Sequence, residues 1–269
     1  MSAAAAVPPA EPGAASTPQP AKLFVGVLLF PGFEPLDFVG PINLFGAVGK
    51  RPGADAELEM LYIAEAAGPV TSVTGNLTVV ASHSFADLPP PSGGGGEAAA
   101  GGGDATEAAG GGGAPPARPR APLDWLLVPG GVGTRREVSN PALLSFLSGW
   151  CAPAAGLAVV MSVCTGAALL AAAGALDGRR ATTNKIAFDW VASVAPGAGV
   201  AWQRRARWVR DGRVVTSSGV SAGADMAVAV IKAELGPAAA GWAAKYNEYT
   251  PATEAGEDPF ADEAYVPDV

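Results

Sequence analysis

The sequence predicts an α/β protein, a mostly parallel sheet with helices on both faces, and three observations carry that prediction. Short β-branched apolar runs alternate with longer helix-forming stretches across residues 21–249, the pattern of repeated strand–helix units closed by right-handed connections. The strand-like runs are continuously apolar rather than alternating, as strands covered on both faces are. The third observation is the stretch Ala158 to Gly174, in which the run Val159, Val160, Val163 stops at Cys164 and an Ala/Leu helix begins at once. A side chain on so abrupt a strand-to-helix turn, a nucleophile elbow, points out of the sheet beside the first free N–H groups of the helix.

Taken in order, residues 1–20 are Ala, Pro, Gly, Ser and Thr with little to pack, and are expected to stay disordered. Leu23 to Phe30 reads as a central strand ended by Pro31-Gly32. A helix over Leu36 to Val48 follows, with Pro41 tolerated only near its first turn. Glu57 to Ala64 is a second strand. Val70 to Thr74 and Leu77 to Ala81 are predicted to form a small hairpin flap, because both residues of Gly75-Asn76 accept positive φ. Residues 89–122 hold three glycine clusters and almost nothing aromatic or β-branched, so they read as a low-complexity surface insertion. The fold resumes with a strand at Trp125 to Val128 ending at Gly130-Gly131, then a helix over Pro141 to Trp150 and the cysteine strand. Arg180 to Thr183 is a short strand and Asn184 to Val194 a helix. Val200 to Trp208 and Arg213 to Ser217 are expected to pair across Asp211-Gly212. A helix opened by a Ser221 cap runs to Leu235, and another from about Pro237 to Tyr249 precedes an acidic tail at residues 250–269.

Composition bounds the function. Without the two ends and the insertion about 195 of the 269 residues remain, enough for one domain. No apolar run approaches the ~20 residues of a membrane span, and the N-terminus lacks the charged-then-apolar order of a secretory signal. A soluble cytoplasmic protein is expected. A formal charge of −8 argues against nucleic-acid or anionic-membrane partners. Cys151 and Cys164 suit a reducing compartment and lie too far apart in the topology for a disulfide. No His/Cys cluster has metal-ligand spacing.

In a parallel α/β sheet ligands bind beyond the carboxyl ends of the strands, and Asp37, Gly130, Gly131 and Cys164 all lie just after strands. Each has two open roles. Cys164 is either an inert buried thiol or a thiolate lowered in pKa by the helix N-terminus. Asp37 either caps its helix or lies beside Cys164 with a raised pKa and passes protons. Gly130 and Gly131 are turn glycines, or they bring N–H groups up to a substrate as an oxyanion-type pocket. Thr165 is a first-turn residue or a hydrogen-bond donor, and Asn184 a helix cap or a substrate-orienting group. His83, the one histidine, reads as a surface residue, and the arginines 204, 205, 207, 210 and 213 as a solvated edge.

Three stretches resemble the DJ-1/PfpI superfamily, the class I glutamine amidotransferase-like proteins. Ser162 to Asn184 is similar to its nucleophile-elbow segment, Leu28 to Pro41 to its first strand and acidic turn, and Asp124 to Thr134 to its glycine-rich strand end. The likeness runs from about Lys22 to Leu235 with one insertion, and is nearest to the isonitrile hydratase-like branch, where the acidic partner is Asp and Thr follows the cysteine. It implies a flavodoxin-like fold and a cofactor-free homodimer. It also implies cysteine-dependent hydration of a small electrophile, with Cys164 as nucleophile, Asp37 as proton carrier and the Gly131 and Thr165 N–H groups holding charge. Glyoxalase-like handling of 2-oxoaldehydes and redox sensing through Cys164 are the alternatives. Thr165, where other branches carry a histidine, and Asn184-Lys185, where the resembled pattern often reads His-Trp, depart from the peptidase-like members.

Overall fold

The computed structural model describes residues 20–91 and 123–261. The elements are β1 (Ala21–Leu28), α1 (Pro35–Val48), β2 (Ala56–Ala64), β3 (Gly68–Thr71), β4 (Thr78–Ala81), β5 (His83–Ser84), β6 (Trp125–Val128), α2 (Thr134–Glu137), α3 (Pro141–Cys151), β7 (Val159–Ser162), α4 (Gly166–Ala172), β8 (Arg180–Ala181), α5 (Phe188–Ser193), β9 (Ala201–Trp202), β10 (Trp208–Asp211), β11 (Val214–Ser217), α6 (Ala222–Leu235) and α7 (Pro237–Tyr246). Nearly all of the 89–122 insertion, residues 1–19 and the last eight residues lie outside the described part.

Seven strands form one sheet in the order β10-β11-β7-β6-β1-β2-β5, and every pairing except β10 with β11 is parallel. Burying both faces explains the continuous apolar runs: all four residues of β6 and of β7 are buried, as is the second half of β1. Helices α1, α6 and α7 pack together as one layer, and α2, α3 and α5 pack on α4 as the other. Because β11, β7, β6 and β1 are consecutive neighbours, the loops leaving their carboxyl ends meet in one place.

Local departures from the sequence-based expectations have physical causes. The flap strands pair as Gly68–Thr71 with Thr78–Ala81, leaving a longer connection than the Gly75-Asn76 turn alone. That connection is pulled onto the acidic turn, with the Val73 N–H donating to the Phe33 carbonyl at 3.4 Å and Thr74 Oγ1 to Glu34 Oε2 at 2.7 Å. Gly75 and Asn76 still take positive φ, 67° and 51°. The second hairpin turns at Gly212-Arg213 because Asp211 stays in the ladder opposite Val214. The run from Val200 to Trp208 is split, since Ala201–Trp202 pairs with β8 in a separate small sheet. Ser221 makes no side-chain cap; its hydroxyl accepts from Arg207 Nη2 at 3.4 Å. Pro41 lies in the second turn of α1, not the first, so the Asp37 carbonyl four residues earlier loses its helical donor.

The basic run and the acidic end also differ from expectation. Arg207 is buried, with its Nε donating to Asp225 Oδ2 at 2.6 Å, while Arg204, Arg205 and Arg210 pair with Asp189, Glu257 and Glu234 on the surface. Residues 250–261 pack back onto this cluster instead of forming a free tail. Buried charge is retained only when paired, and here the partners come from segments far apart in sequence. Among the described residues, no helix is long and apolar enough to cross a membrane.

Candidate active site

Cys164 follows β7 with φ of 57°, a left-handed conformation that a non-glycine residue avoids. Three bonds hold it there. Its N–H donates to the Ser218 carbonyl at 3.0 Å, its carbonyl accepts from Thr183 Oγ1 at 2.7 Å, and the preceding Val163 N–H is fixed to the Val128 carbonyl. The strain, on the order of 1–3 kcal/mol for such a residue, is what turns the thiol out of the sheet and lets α4 start at Gly166. Gly166 is required at that corner, because a Cβ there would collide with the Val128 carbonyl oxygen.

Asp37 reaches the same point from α1. It is wholly buried, and it does not cap its own helix: Glu34 does, accepting from the Leu36 N–H at 3.4 Å. The Asp37 carboxyl instead accepts the Gly130 N–H at 2.8 Å across the sheet. The Cys164 thiol and the Val220 N–H also face this carboxyl, and its Oδ1 is buried with no hydrogen-bond partner among the described residues. Burial pushes its pKa up to about 7, opposed by the Gly130 N–H and assisted by the charge of Glu34.

The two glycines after β6 bring the backbone close, but their N–H groups are not left for a substrate. Gly130 N–H is taken by Asp37, and Gly131 N–H donates to Thr165 Oγ1 at 2.9 Å. In this arrangement the Gly131 N–H, read from the sequence as an oxyanion donor, is held by the Thr165 hydroxyl. The groups that face the thiol are the backbone N–H and hydroxyl of Thr165 and the Val220 N–H. Gly130 itself cannot carry a side chain, since a Cβ would lie 2.5 Å from Thr165 N and 2.9 Å from Asp37 Oδ2. Gly130→Ala is therefore expected to destabilise the protein by about 1–3 kcal/mol in denaturant unfolding, the range for overpacking a tight interior. An unchanged midpoint would show that the strand-end loop yields freely.

Of the two readings of Cys164, its surroundings favour the neutral thiol. Cys164 is 7% exposed, and burial, reinforced by the neighbouring Asp37, pushes its thiol well above the ordinary range. The Thr165 and Val220 donors act in the opposite sense but lose. A helix N-terminus is worth only about 0.3–1 kcal/mol in exposed settings, and α4 spans seven residues; full burial moves a pKa by several units. Cys151 is likewise raised to about 12 by burial.

Asn184 lies at the edge of the site. Its Oδ1 accepts the Ala187 N–H at 3.0 Å, while its Nδ2 covers Gly219, where an added Cβ would run into it. Asn184, Ser218, Gly219 and Val220 line a groove of about 390 Å³, tied to the cysteine through the Ser218 carbonyl that accepts its N–H. His83 sits on the edge strand β5, its Nδ1 bonded to Ser82 Oγ at 2.8 Å, so the only histidine of the chain is not paired with Cys164. Val220 is the residue that sequence reasoning missed. It has φ of 46°, a genuine outlier for a β-branched residue, and its N–H faces both Asp37 and Cys164. Its signal was its position, in the loop directly after β11, the strand beside the cysteine strand.

A strained cysteine on a strand-to-helix elbow, with a buried aspartate delivered from the first strand's turn, defines a parallel α/β protein of the nucleophile-elbow type. The chain belongs to the DJ-1/PfpI family, whose sequence model matches residues 24–233. Isonitrile hydratase from Pseudomonas putida is 29% identical over 230 residues, spanning 86% of this chain and 80% of that protein. Among solved structures, a ThiJ/PfpI family protein from Pseudomonas syringae superposes with a TM-score of 0.64 at 26% identity, covering 92% of this chain and 84% of its own. Drosophila melanogaster DJ-1beta shares the fold at a TM-score of 0.61 and 14% identity, covering 85% of this chain and 99% of its own.

Proposed function

We propose that this protein is a cysteine-dependent hydratase that converts an isonitrile to an N-substituted formamide. The observation that carries the proposal is the buried Asp37–Cys164 pair, in which a carboxyl with a pKa near 7 faces a thiol that needs a base. Support also comes from the 29% identity to isonitrile hydratase and from the Thr165 hydroxyl beside the thiol. The sulfur of Cys164 bonds to the terminal isonitrile carbon. Its proton passes through Asp37 to the same carbon, giving an S-linked thioimidate. Asp37 then takes a proton from water as the water oxygen adds to that carbon, and the nitrogen is protonated. The C–S bond breaks, the thiol regains its proton and the formamide leaves. Atoms balance as isonitrile plus water, no electrons are exchanged and no cofactor enters. Charge developing on sulfur is held by the Thr165 and Val220 N–H groups.

The enzyme would act on a small molecule, as a homodimer, in the cytoplasm, where its two free cysteines stay reduced. The test is direct. Purified protein incubated with an alkyl isonitrile is expected to yield the formamide in a mass-resolved assay, with methylglyoxal consumption measured beside it. Formamide without methylglyoxal loss supports the proposal. Methylglyoxal loss alone would move the chemistry to 2-oxoaldehydes, and neither activity would remove both.

A further inference from the structure

The groove lined by Asn184 and Val220 is not walled by the parallel domain alone. Residues 250–261 cross back over β10 and α6 and are held at fixed points. The Ala252 N–H donates to Asp225 Oδ1 at 2.8 Å, Arg207 N–H to the Ala255 carbonyl at 2.8 Å, and Asp258 N–H to the Arg205 carbonyl at 2.8 Å. Asp258 is 4% exposed, and its carboxylate lies 3.5 Å from Arg207 Nη1 and 3.7 Å from Lys185 Nζ. One oxygen of that carboxylate, Oδ1, accepts the Phe260 N–H at 3.1 Å. A charged residue buried this deeply stands against its desolvation cost, and its Oδ1 holds the backbone N–H of Phe260.

Phe260 forms one wall of the groove, and Ile186, directly after Lys185, is on its lining too. Both leave large apolar surface open, 53% for Phe260 and 58% for Ile186. Ser218, Gly219 and Val220 also line the groove, and of these Ser218 accepts the Cys164 N–H and Val220 presents its N–H to the thiol. The volume of about 390 Å³ is at the small end of the ~300–1,000 Å³ of ligand pockets. It therefore suits a single ring or short chain with a reactive tip.

We propose that the C-terminal strap is a specificity element of the site, in which Phe260, with Ile186, grips the apolar substituent of the substrate and Asp258 latches the strap through Arg207 and Lys185. The proposal rests on the hydratase function above for the identity of the reactive tip. Phe260 is a binding residue, and Asp258 acts through it as a positioning residue.

The experiment compares kcat/KM for methyl, n-butyl and benzyl isonitrile in the full-length protein and in Phe260→Ala and Asp258→Asn. Phe260→Ala is expected to lower kcat/KM for benzyl isonitrile by about 10–100-fold, mostly through KM, and for methyl isonitrile by less than about threefold. Its melting temperature should be unchanged, because the ring is half exposed. Asp258→Asn, with Phe260 intact, should reproduce part of the same selectivity loss. Equal falls across the series, or none, would overturn the subsite; selectivity intact in Asp258→Asn would overturn the latch. If the wild-type protein hydrates no isonitrile, the subsite is read from alkylation of Cys164 by N-benzyliodoacetamide relative to iodoacetamide. Preference for the benzyl reagent in the wild type, lost in Phe260→Ala, keeps the subsite while the hydratase function falls. The same ratio in both proteins overturns it whatever the reaction.

Discussion

Cys164→Ser is expected to reduce the proposed isonitrile hydration by roughly 10³-fold or more while leaving the fold intact. Serine is nearly isosteric and can keep the bonds from the Cys164 backbone to Ser218 and Thr183, so the elbow has no new reason to collapse. What is lost is nucleophilicity. A hydroxyl is far harder to deprotonate than a thiol, and the buried aspartate that faces position 164, with a pKa near 7, is too weak a base to remove its proton. The loss should fall on kcat more than on KM, since the sulfur contributes to bond making and little to holding the substrate. Steady-state kinetics of the two proteins beside their thermal melts would check this. A variant within tenfold of wild type would mean that the sulfur forms no bond to the substrate.

Much of this site is legible in the sequence because parallel sheets impose a rule: polar residues just beyond apolar strands converge. Asp37, Gly130 and Cys164 obey it, and the strand order β11-β7-β6-β1 shows why they meet. The same rule points to the loop after β11, but valine advertises no chemistry, and the strain that aims the Val220 N–H exists only as a backbone angle. The ionisation of Cys164 is hidden for a related reason. The helix N-terminus can be read from Gly166 and the alanines, whereas the depth of the thiol depends on packing by Asp37 and Val220, which are distant in sequence. The Gly131 N–H looks free in the sequence because nothing in a string of letters says that the Thr165 hydroxyl will occupy it. The strap is hidden most completely. Its composition has almost nothing apolar to bury, and its order comes from backbone bonds and from Asp258 finding Arg207 and Lys185.

Asp37→Asn is expected to abolish the proposed hydration and to stabilise the protein at neutral pH. The folded-state pKa of Asp37 is near 7 against an ordinary value of 3.8, raised chiefly by burial. The folded protein thus binds a proton that the unfolded chain releases, so stability from this group is fully present below 3.8 and is lost as pH rises through 7. Above that pH an ionised carboxylate stands in the core with one oxygen unpartnered, at a cost on the order of 4 kcal/mol from a displacement of this size. Asparagine is neutral at every pH, and its amide oxygen can still accept the Gly130 N–H. Denaturant unfolding at pH 8 should therefore show the variant more stable by up to about 4 kcal/mol, with the gap closing by pH 4. Hydration moves the other way. Without a group that takes the thiol proton and returns it to carbon, kcat/KM for the proposed reaction should fall by about 10²–10⁴-fold, and the rise in rate through pH 7 expected of the wild type should be absent. A gain in stability with catalysis retained would show that the carboxyl is strained for no chemical purpose. A loss of stability at pH 8 would show that the buried charge is better compensated than its surroundings indicate.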